Sequence, residues 1–448
     1  MPDISVPWGP GELEIALPSH WTVRQEVRPD LRDAPDDWRD YLARALNQGV
    51  GEMSLTRLLA ARRGGRVLLL VEDVTRDSPL SEILPVVLRE VRHAGVADEQ
   101  IEVVFANGMH PPMTDAQADA KLGEDCRGIA RRSNRYDDPA AHLTLGRAGG
   151  VDIRVDRGVA DADLRIIISA VSPHLQAGFG GGYKMIFPGC SHLETIRALH
   201  RLGLRGRARQ LVGTDVETNA MRQAIDAAGT MLDERHGTTY AVQYLLDGRN
   251  LPASVAAGEV IPTHRMMAKQ CAAACGLVVE QPGDVLIANA HPRDFDLWQS
   301  FKCIANTRWA ARPNGAIICL ARCEGGLHGM KVPKFWPLSP QWTRRLVRGL
   351  GPDALGSLVT RLLPGLAGDA AFFVRMAMQT IQRNPIFMVS PTLSDLAAPF
   401  PGLSIFPGVD EAIAAAERHL GSGPQRVVVF PSGGTTFPVP PRRGSQNA

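Results

Sequence analysis

Six times along the chain a short run of apolar, often β-branched residues ends in a polar loop. The runs are GRVLLLVED at 65–73, IEVVFANG at 101–108, LRIIISAV at 164–171, GDVLIANAHP at 283–292, GAIICLAR at 315–322 and QRVVVFPSGG at 425–434. Stretches with helical spacing lie between them, such as LSEILPVVLREVRHAG at 80–95 and FDLWQSFKCIANTRWA at 295–310. Short runs apolar on both faces, alternating with helices, mean parallel strands joined by βαβ crossovers. The predicted class is therefore α/β. At 448 residues the chain is too long for one ordinary domain. Two domains are expected, each with a mainly parallel or mixed sheet flanked by helices, and an active site in the cleft between them. The first, cofactor-binding, is placed at 1–270, with the tail at about 425–448 packing back on it; the second, also α/β, is placed at 280–420. The change falls where the helical HRMMAKQCAAACG at 264–276 gives way to the turn EQPGD.

The net charge of +2 argues against nucleic acid and against an anionic membrane surface as partners. The basic cluster RGRARQ at 205–210 is short and reads as solvated surface. No basic segment followed by an apolar core opens the chain, and no apolar run approaches the ~20 residues of a membrane span. A cytoplasmic protein is expected. An odd count of seven cysteines fits a reducing compartment. Cys271 and Cys275 in CAAAC are an incomplete zinc set and read as buried thiols.

Ligands of parallel α/β sheets collect at the carboxyl ends of strands. Arg76, His110, His174, Gln299 and Lys302 all follow strands at that end. Arg76, beside Asp73, suits a carboxylate or phosphate, or a local ion pair. His110 in a Gly/Pro-rich loop and His174 after Pro173 suit proton transfer, or serve as structural histidines. The stretch SAVSPHLQAGFGGGYKMIFPGC at 169–190 puts Gly180, Gly181 and Gly182 just before Lys184. Met185 after the lysine excludes a P-loop. His200 ends the helical SHLETIRALH and competes with His192 as a metal ligand; the other reading of His200 is a cation near a helix C-terminus. Gln299 and Lys302 share one helix face.

Taken in order, EDVTRDSP, NGMHPPMT, SPHLQAGFGGGYKMIFPG with ETIRALH, and HPRDFDLWQSFK resemble the motifs of the lactate racemase family, which uses a nickel-pincer nucleotide. The resemblance covers roughly 65–310 and, more faintly, GGTTFP near the C-terminus. It implies an isomerase that inverts C2 of a 2-hydroxy acid by reversible hydride transfer. The implied cofactor is pyridinium-3-thioamide-5-thiocarboxylic acid mononucleotide with Ni, covalently bound to Lys184. By the same resemblance His200, not His192, ligates nickel, and His110 and His174 are the acid/base pair. Asp73, Thr75, Gly180, Gly181 and Gly182 contact the cofactor; Arg76, Gln299, Lys302 and Trp298 contact the substrate. Implied partners are the small 2-hydroxy acid and the proteins that make the cofactor, with no nucleic acid and no membrane. The chain departs from the family at Pro111, where an Arg is common, at Tyr183 in GGGYK, and at Trp298, which leaves the substrate's side chain open. Two other readings are a non-catalytic nickel-nucleotide binding protein, which would not require both histidines, and a zinc-dependent metallohydrolase, which would need a compact H-E-x-x-H or H-x-x-E-H set that the chain lacks.

Overall fold

The apolar runs become strands because both of their faces find cover. The computed structural model describes residues 4–439 apart from 52, 63, 204–211, 214–215, 328–335, 363–368 and 397–399. The basic 205–210 cluster and the polar end of the tail lie outside the described residues. The chain divides into two compact units, residues 31–274, and residues 1–30 together with 275–448.

The 31–274 unit is built on a six-stranded sheet in the order Pro252–Glu259, Thr238–Leu246, Leu164–Ala170, Val67–Val71, Ile101–Phe105, Ala130–Ser133. Only the Pro252–Glu259 edge strand runs antiparallel. Every residue of Val67–Val71 is buried. Alternation sends Leu69, Val71, Ile166 and Ile168 to one core and Leu68, Leu70 and Ile167 to the other. The Leu80–His93 helix covers the first face with Ile83, Leu84, Val87 and Val91. The Ala220–Arg235 helix covers the second with Met221, Ile225 and Leu232. Each such fully buried side chain contributes about 1.5–3 kcal/mol of apolar transfer.

The other unit carries a six-stranded sheet whose pairings are all parallel, ordered Leu403–Phe406, Ile386–Val389, Ala311–Leu320, Gly283–Asn289, Gln425–Phe430, Trp21–Glu26. An N-terminal hairpin, Ile4–Trp8 with Gly11–Ile15, adds Ile4, Val6 and Ile15 to the core formed by Val285, Ile287, Ile318 and Val427. The helices Pro340–Leu350, Pro352–Leu362 and Asp369–Arg383 lie between strands Ala311–Leu320 and Ile386–Val389 along the chain.

The expected bounds of 1–270 and 280–420 differ from these units at both ends of the chain. Residues 1–30 cluster with the C-terminal half because Trp21–Glu26 pairs with Gln425–Phe430. Gln425–Phe430 lies between Gly283–Asn289 and Trp21–Glu26, so the tail strand does pair with a segment of 1–270. All seven cysteines are buried and none is in a disulfide. Among the described residues no helix is long and apolar enough to cross a membrane.

Candidate functional site

Three neighbouring parallel strands set the site. Val67–Val71 lies between Ile101–Phe105 and Leu164–Ala170, and all three run the same way. Their carboxyl ends release the loops of Asp73, His110 and His174 at one edge of the sheet. Neighbouring strands stand about 4.8 Å apart, so the His110 and His174 loops leave strands about 10 Å apart, on either side of the Asp73 loop.

Asp73 is buried, and its Oδ2 lies 2.6 Å from Nδ1 of His110. Its Oδ1 accepts from the Thr75 hydroxyl at 2.6 Å and from the Thr75 amide at 3.0 Å. Burial alone would raise this carboxyl. The hydrogen bond and charge of His110, with Arg76 and Thr75, hold it well below the usual range. An ionised Asp73 can only accept, so Nδ1 of His110 carries a proton, and in the neutral ring the lone pair is on Nε2. The loop is rigid: His110 N–H donates to the Asn107 carbonyl at 2.8 Å, and the Asn107 side chain returns a bond to the His110 carbonyl at 2.8 Å. Gly108, in the left-handed region at φ 56°, donates to the Gly189 carbonyl at 2.9 Å and so ties this loop to the one that carries Lys184.

Asp73→Asn is expected to lower turnover by about 10²–10⁴-fold with little loss of thermal stability. Thr75 donates twice to Oδ1, which turns the new amide NH₂ toward His110 and favours the wrong tautomer. The kcat–pH profile and Tm check this together; parent turnover would show that the carboxylate does not set the histidine.

His174 is held in the opposite sense. It lies in a small hairpin, Pro173–His174 against Gly178–Phe179. Its Nδ1 accepts from the amides of Gln176 at 3.2 Å and Ala177 at 3.1 Å, so its proton is on Nε2. The Gln176 side chain donates to the His200 carbonyl at 2.9 Å, linking the His174 turn to the Leu193–Leu202 helix. His200 is half-buried on the last turn of that helix. His192 begins the same helix as its cap: Nδ1 accepts from the Glu194 amide at 3.3 Å, and the ring packs edge-on to His142 at 5.4 Å. Burial, then Arg154, lowers its pKa. His192 is thus committed to the fold.

Lys184 follows the glycine turn and is half-buried. Burial, then the charges of Arg76 and Arg222, bring its amine down to about 7 against the pull of Glu72 and Asp73. About half of it is neutral, and hence nucleophilic, at neutral pH. Glu72 beside it is raised by burial, despite a hydrogen bond from Ser78. Gly181 and Gly182 adopt φ of 77° and 62°. A Cβ would stand 2.6 Å from Gln243 Nε2 at Gly181 and 3.1 Å from His264 at Gly182. Their turn and inward packing therefore already demand glycine, whereas a Cβ at Gly180 would meet nothing nearer than 3.6 Å. Tyr183 is buried: its hydroxyl donates to Asp233 at 2.6 Å, and a Cβ at Gly229 would lie 2.1 Å from its ring. Its departure from the family pattern is therefore absorbed by packing on the Ala220–Arg235 helix.

A lysine-tethered nickel nucleotide fits these residues. Among the described residues no group of three or more His, Cys, Asp or Glu could hold a metal. A metal at His200 would therefore take its remaining donors from a bound group, and Lys184 offers a neutral amine for attaching one.

Gln299, Lys302 and Trp298 belong to the other unit, on the Leu297–Thr307 helix after strand Gly283–Asn289. Asp296 caps this helix by accepting from the Gln299 amide at 2.6 Å, and Lys302 Nζ donates to Gln299 Oε1 at 2.6 Å. Sequence reasoning missed Asn107, Arg222 and His264. Asn107 could have been suspected from its place three residues before His110, but nothing in the sequence sets Arg222 apart from other arginines.

The lactate racemase N-terminal domain model matches residues 8–211. The lactate racemase of Thermoanaerobacterium thermosaccharolyticum is 24% identical over 341 residues, 73% of this chain and 76% of its own length. That of Lactiplantibacillus plantarum is 24% identical over 301 residues, 65% of this chain and 67% of its own. The apoprotein structure of the Thermoanaerobacterium enzyme superposes with a TM-score of 0.80 at 20% identity, covering 98% of this chain and 100% of that one. A Thermotoga maritima protein aligns at a TM-score of 0.63 and 15% identity over 93% of this chain and all of its own. The matched domain spans the loops of Asp73, His110, His174, Lys184 and His200, and in sequence and fold the chain is similar to the lactate racemases.

Proposed function

We propose that the chain inverts C2 of a small 2-hydroxy acid as a racemase or epimerase, with His110 and His174 as the acid/base pair. One observation carries this reading. The two histidines leave strands on opposite sides of the Asp73 loop, and their partners fix opposite tautomers. His110 presents a lone pair at Nε2, fit to take the hydroxyl proton of one enantiomer. His174 presents an N–H at Nε2, fit to polarise an oxygen as a neutral imidazole. Arg76 is the cation beside them suited to a carboxylate. Asp73 and Thr75, expected to touch the cofactor, are engaged with His110, and their proposed role becomes orienting that base. Lys184 would hold the nickel-pincer nucleotide covalently and His200 would ligate its nickel. When bound, such a group supplies a reversible hydride acceptor, which no side chain provides.

For the second enantiomer His174 must act as the base. Its Nε2 must first give up its proton, with one carried at Nδ1 instead, and the Gln176 and Ala177 amides must release Nδ1. The two directions thus start from unequal resting states.

Co-expression with cofactor-making enzymes tests the proposal. Intact mass reports an adduct, metal analysis reports nickel, and chiral chromatography reports inversion across a panel of 2-hydroxy acids. An adduct with nickel near one per chain but no inversion of any acid would leave a non-catalytic binding protein; neither adduct nor nickel would sink the cofactor. For His200→Ala we expect nickel to fall to background while the adduct mass remains. Unchanged nickel there, with loss in His192→Ala, would move the ligand to His192.

A further inference from the structure

The glycine turn before Lys184 is gripped from behind by two buried side chains that the proposed reaction does not use. Arg222, on the Ala220–Arg235 helix, is fully buried. Its Nη2 donates to the Phe179 carbonyl and its Nη1 to the Gly181 carbonyl, the latter at 3.2 Å. Between them, His264 of the Val260–Cys275 helix bonds the Gly180 carbonyl through Nε2 at 2.9 Å, which requires a proton on that nitrogen. Three successive carbonyls are thus fixed by two side chains from two helices.

A buried guanidinium is a costly way to brace a loop. Removing it from water carries a large desolvation penalty, and an apolar side chain of similar size would fill the space without that loss. Compensation here is partial. Asp226 Oδ1 lies 3.8 Å from Nη1, and Asp226 also serves Arg265 at 2.7 Å. Among the described residues Arg222 Nε has no hydrogen-bond partner. Arg265, in turn, bonds Glu217. What the guanidinium gives that an apolar residue cannot is a planar fork reaching two carbonyls two residues apart.

Resting on the reading of Lys184 as the tether, we propose that Arg222 is a positioning residue for that lysine, acting through the Phe179 and Gly181 carbonyls, with His264 assisting through Gly180. Lys184 comes three residues after Gly181, and its own amide lies 3.3 Å from the Gly181 carbonyl as donor. Fixing that carbonyl fixes the start of the short turn Gly182–Met185 from which the amine projects. The charged and titratable groups acting on the amine are Arg76, Arg222, Glu72 and Asp73. Loosening the turn would let water reach the amine, so it should titrate more like an ordinary lysine, at about 10.4.

The test uses the full-length apoprotein and an acetylating succinimidyl ester, with Lys184 labelling followed by peptide mass spectrometry between about pH 6 and about pH 11. The parent should label with an inflection near 7. Arg222→Lys keeps the charge but loses the fork. Its inflection should rise by one to two units, so that labelling at neutral pH falls about five- to fifty-fold, and adduct formation on co-expression should fall with it. A parent-like profile and adduct yield in folded Arg222→Lys would overturn the positioning role and leave only a charge effect. Should that variant not accumulate as folded protein, His264→Ala decides, since it releases only the Gly180 carbonyl: a parent profile there overturns the grip, and an upward shift supports it. If the parent itself gains no adduct while the labelling profile shifts in the variants, the tether reading fails and the positioning stands.

Discussion

Lys184→Ala, co-expressed with the cofactor-making enzymes, is expected to carry no added mass and to lose at least about 10⁴-fold in racemisation, because a group held covalently at high effective concentration would be held no longer. No neighbouring amine should substitute. Lys121 Nζ is bonded to the carbonyls of Arg76 and Ser78 at 2.5 and 2.8 Å, which leaves it poorly placed to attack. Intact mass and chiral chromatography check both parts, and full activity in purified Lys184→Ala would refute the tether. The apoprotein should respond the other way in stability. Lys184 has a folded-state value of about 7, below that of an unfolded lysine. The unfolded chain therefore binds the extra proton between about 7 and about 10.4, and folding gains stability as pH rises through that window. Lys184→Met, which removes the amine but fills its space, should melt higher than the parent at neutral pH. The gap should be constant below about 7 and close by about 10.4.

Removing either histidine should stop net inversion while sparing one half-reaction. With His110→Ala, the enantiomer whose hydroxyl faces His174 keeps its base; with His174→Ala, the other keeps His110. Each loss should be about 10²–10⁴-fold in the half-reaction that needs the missing group. Single-turnover mixing of each pure enantiomer with each loaded variant, followed by cofactor absorbance, reads this directly. Opposite enantiomer preferences in the two variants support the pair, and equal losses for both enantiomers in both variants count against it. The unequal tautomers add a finer expectation. In the parent, the enantiomer served by His174 should react more slowly in the first turnover, because the Gln176 and Ala177 amides must first give up Nδ1.

The sequence shows the fold where a strand is covered on both faces. Val67–Val71 and Leu164–Ala170 read as buried parallel strands because nearly every position is apolar, and the structure buries them. Trp21–Glu26 could not be read that way. It is an edge strand, half exposed and mostly polar, and its partner lies at the far end of the chain. Pro252–Glu259, rich in Ala, hides for a similar reason: it is an antiparallel edge. At the candidate site, His110, His174 and Lys184 stand out in the sequence because each is a reactive residue in a loop after a strand or a glycine turn, whereas Asp73 is singled out only by the family resemblance. The histidines' tautomers do not stand out, since those depend on which atom meets Thr75, Gln176 or Ala177. Arg222 and His264 were hidden more deeply. Burial of a cation is a property of packing between helices, and the letters Arg and His give no sign of it.

The pairing of Trp21–Glu26 with Gln425–Phe430 also sets an order of events during synthesis. The edge strand emerges from the ribosome first, and its partner follows roughly 400 residues later, tens of seconds at about 5–20 residues per second. The 31–274 unit is continuous in the chain and has every strand of its sheet in hand before residues 275–448 are made. The Trp21–Glu26 strand must meanwhile wait with its backbone unpaired and Trp21 uncovered, in reach of another nascent copy of itself.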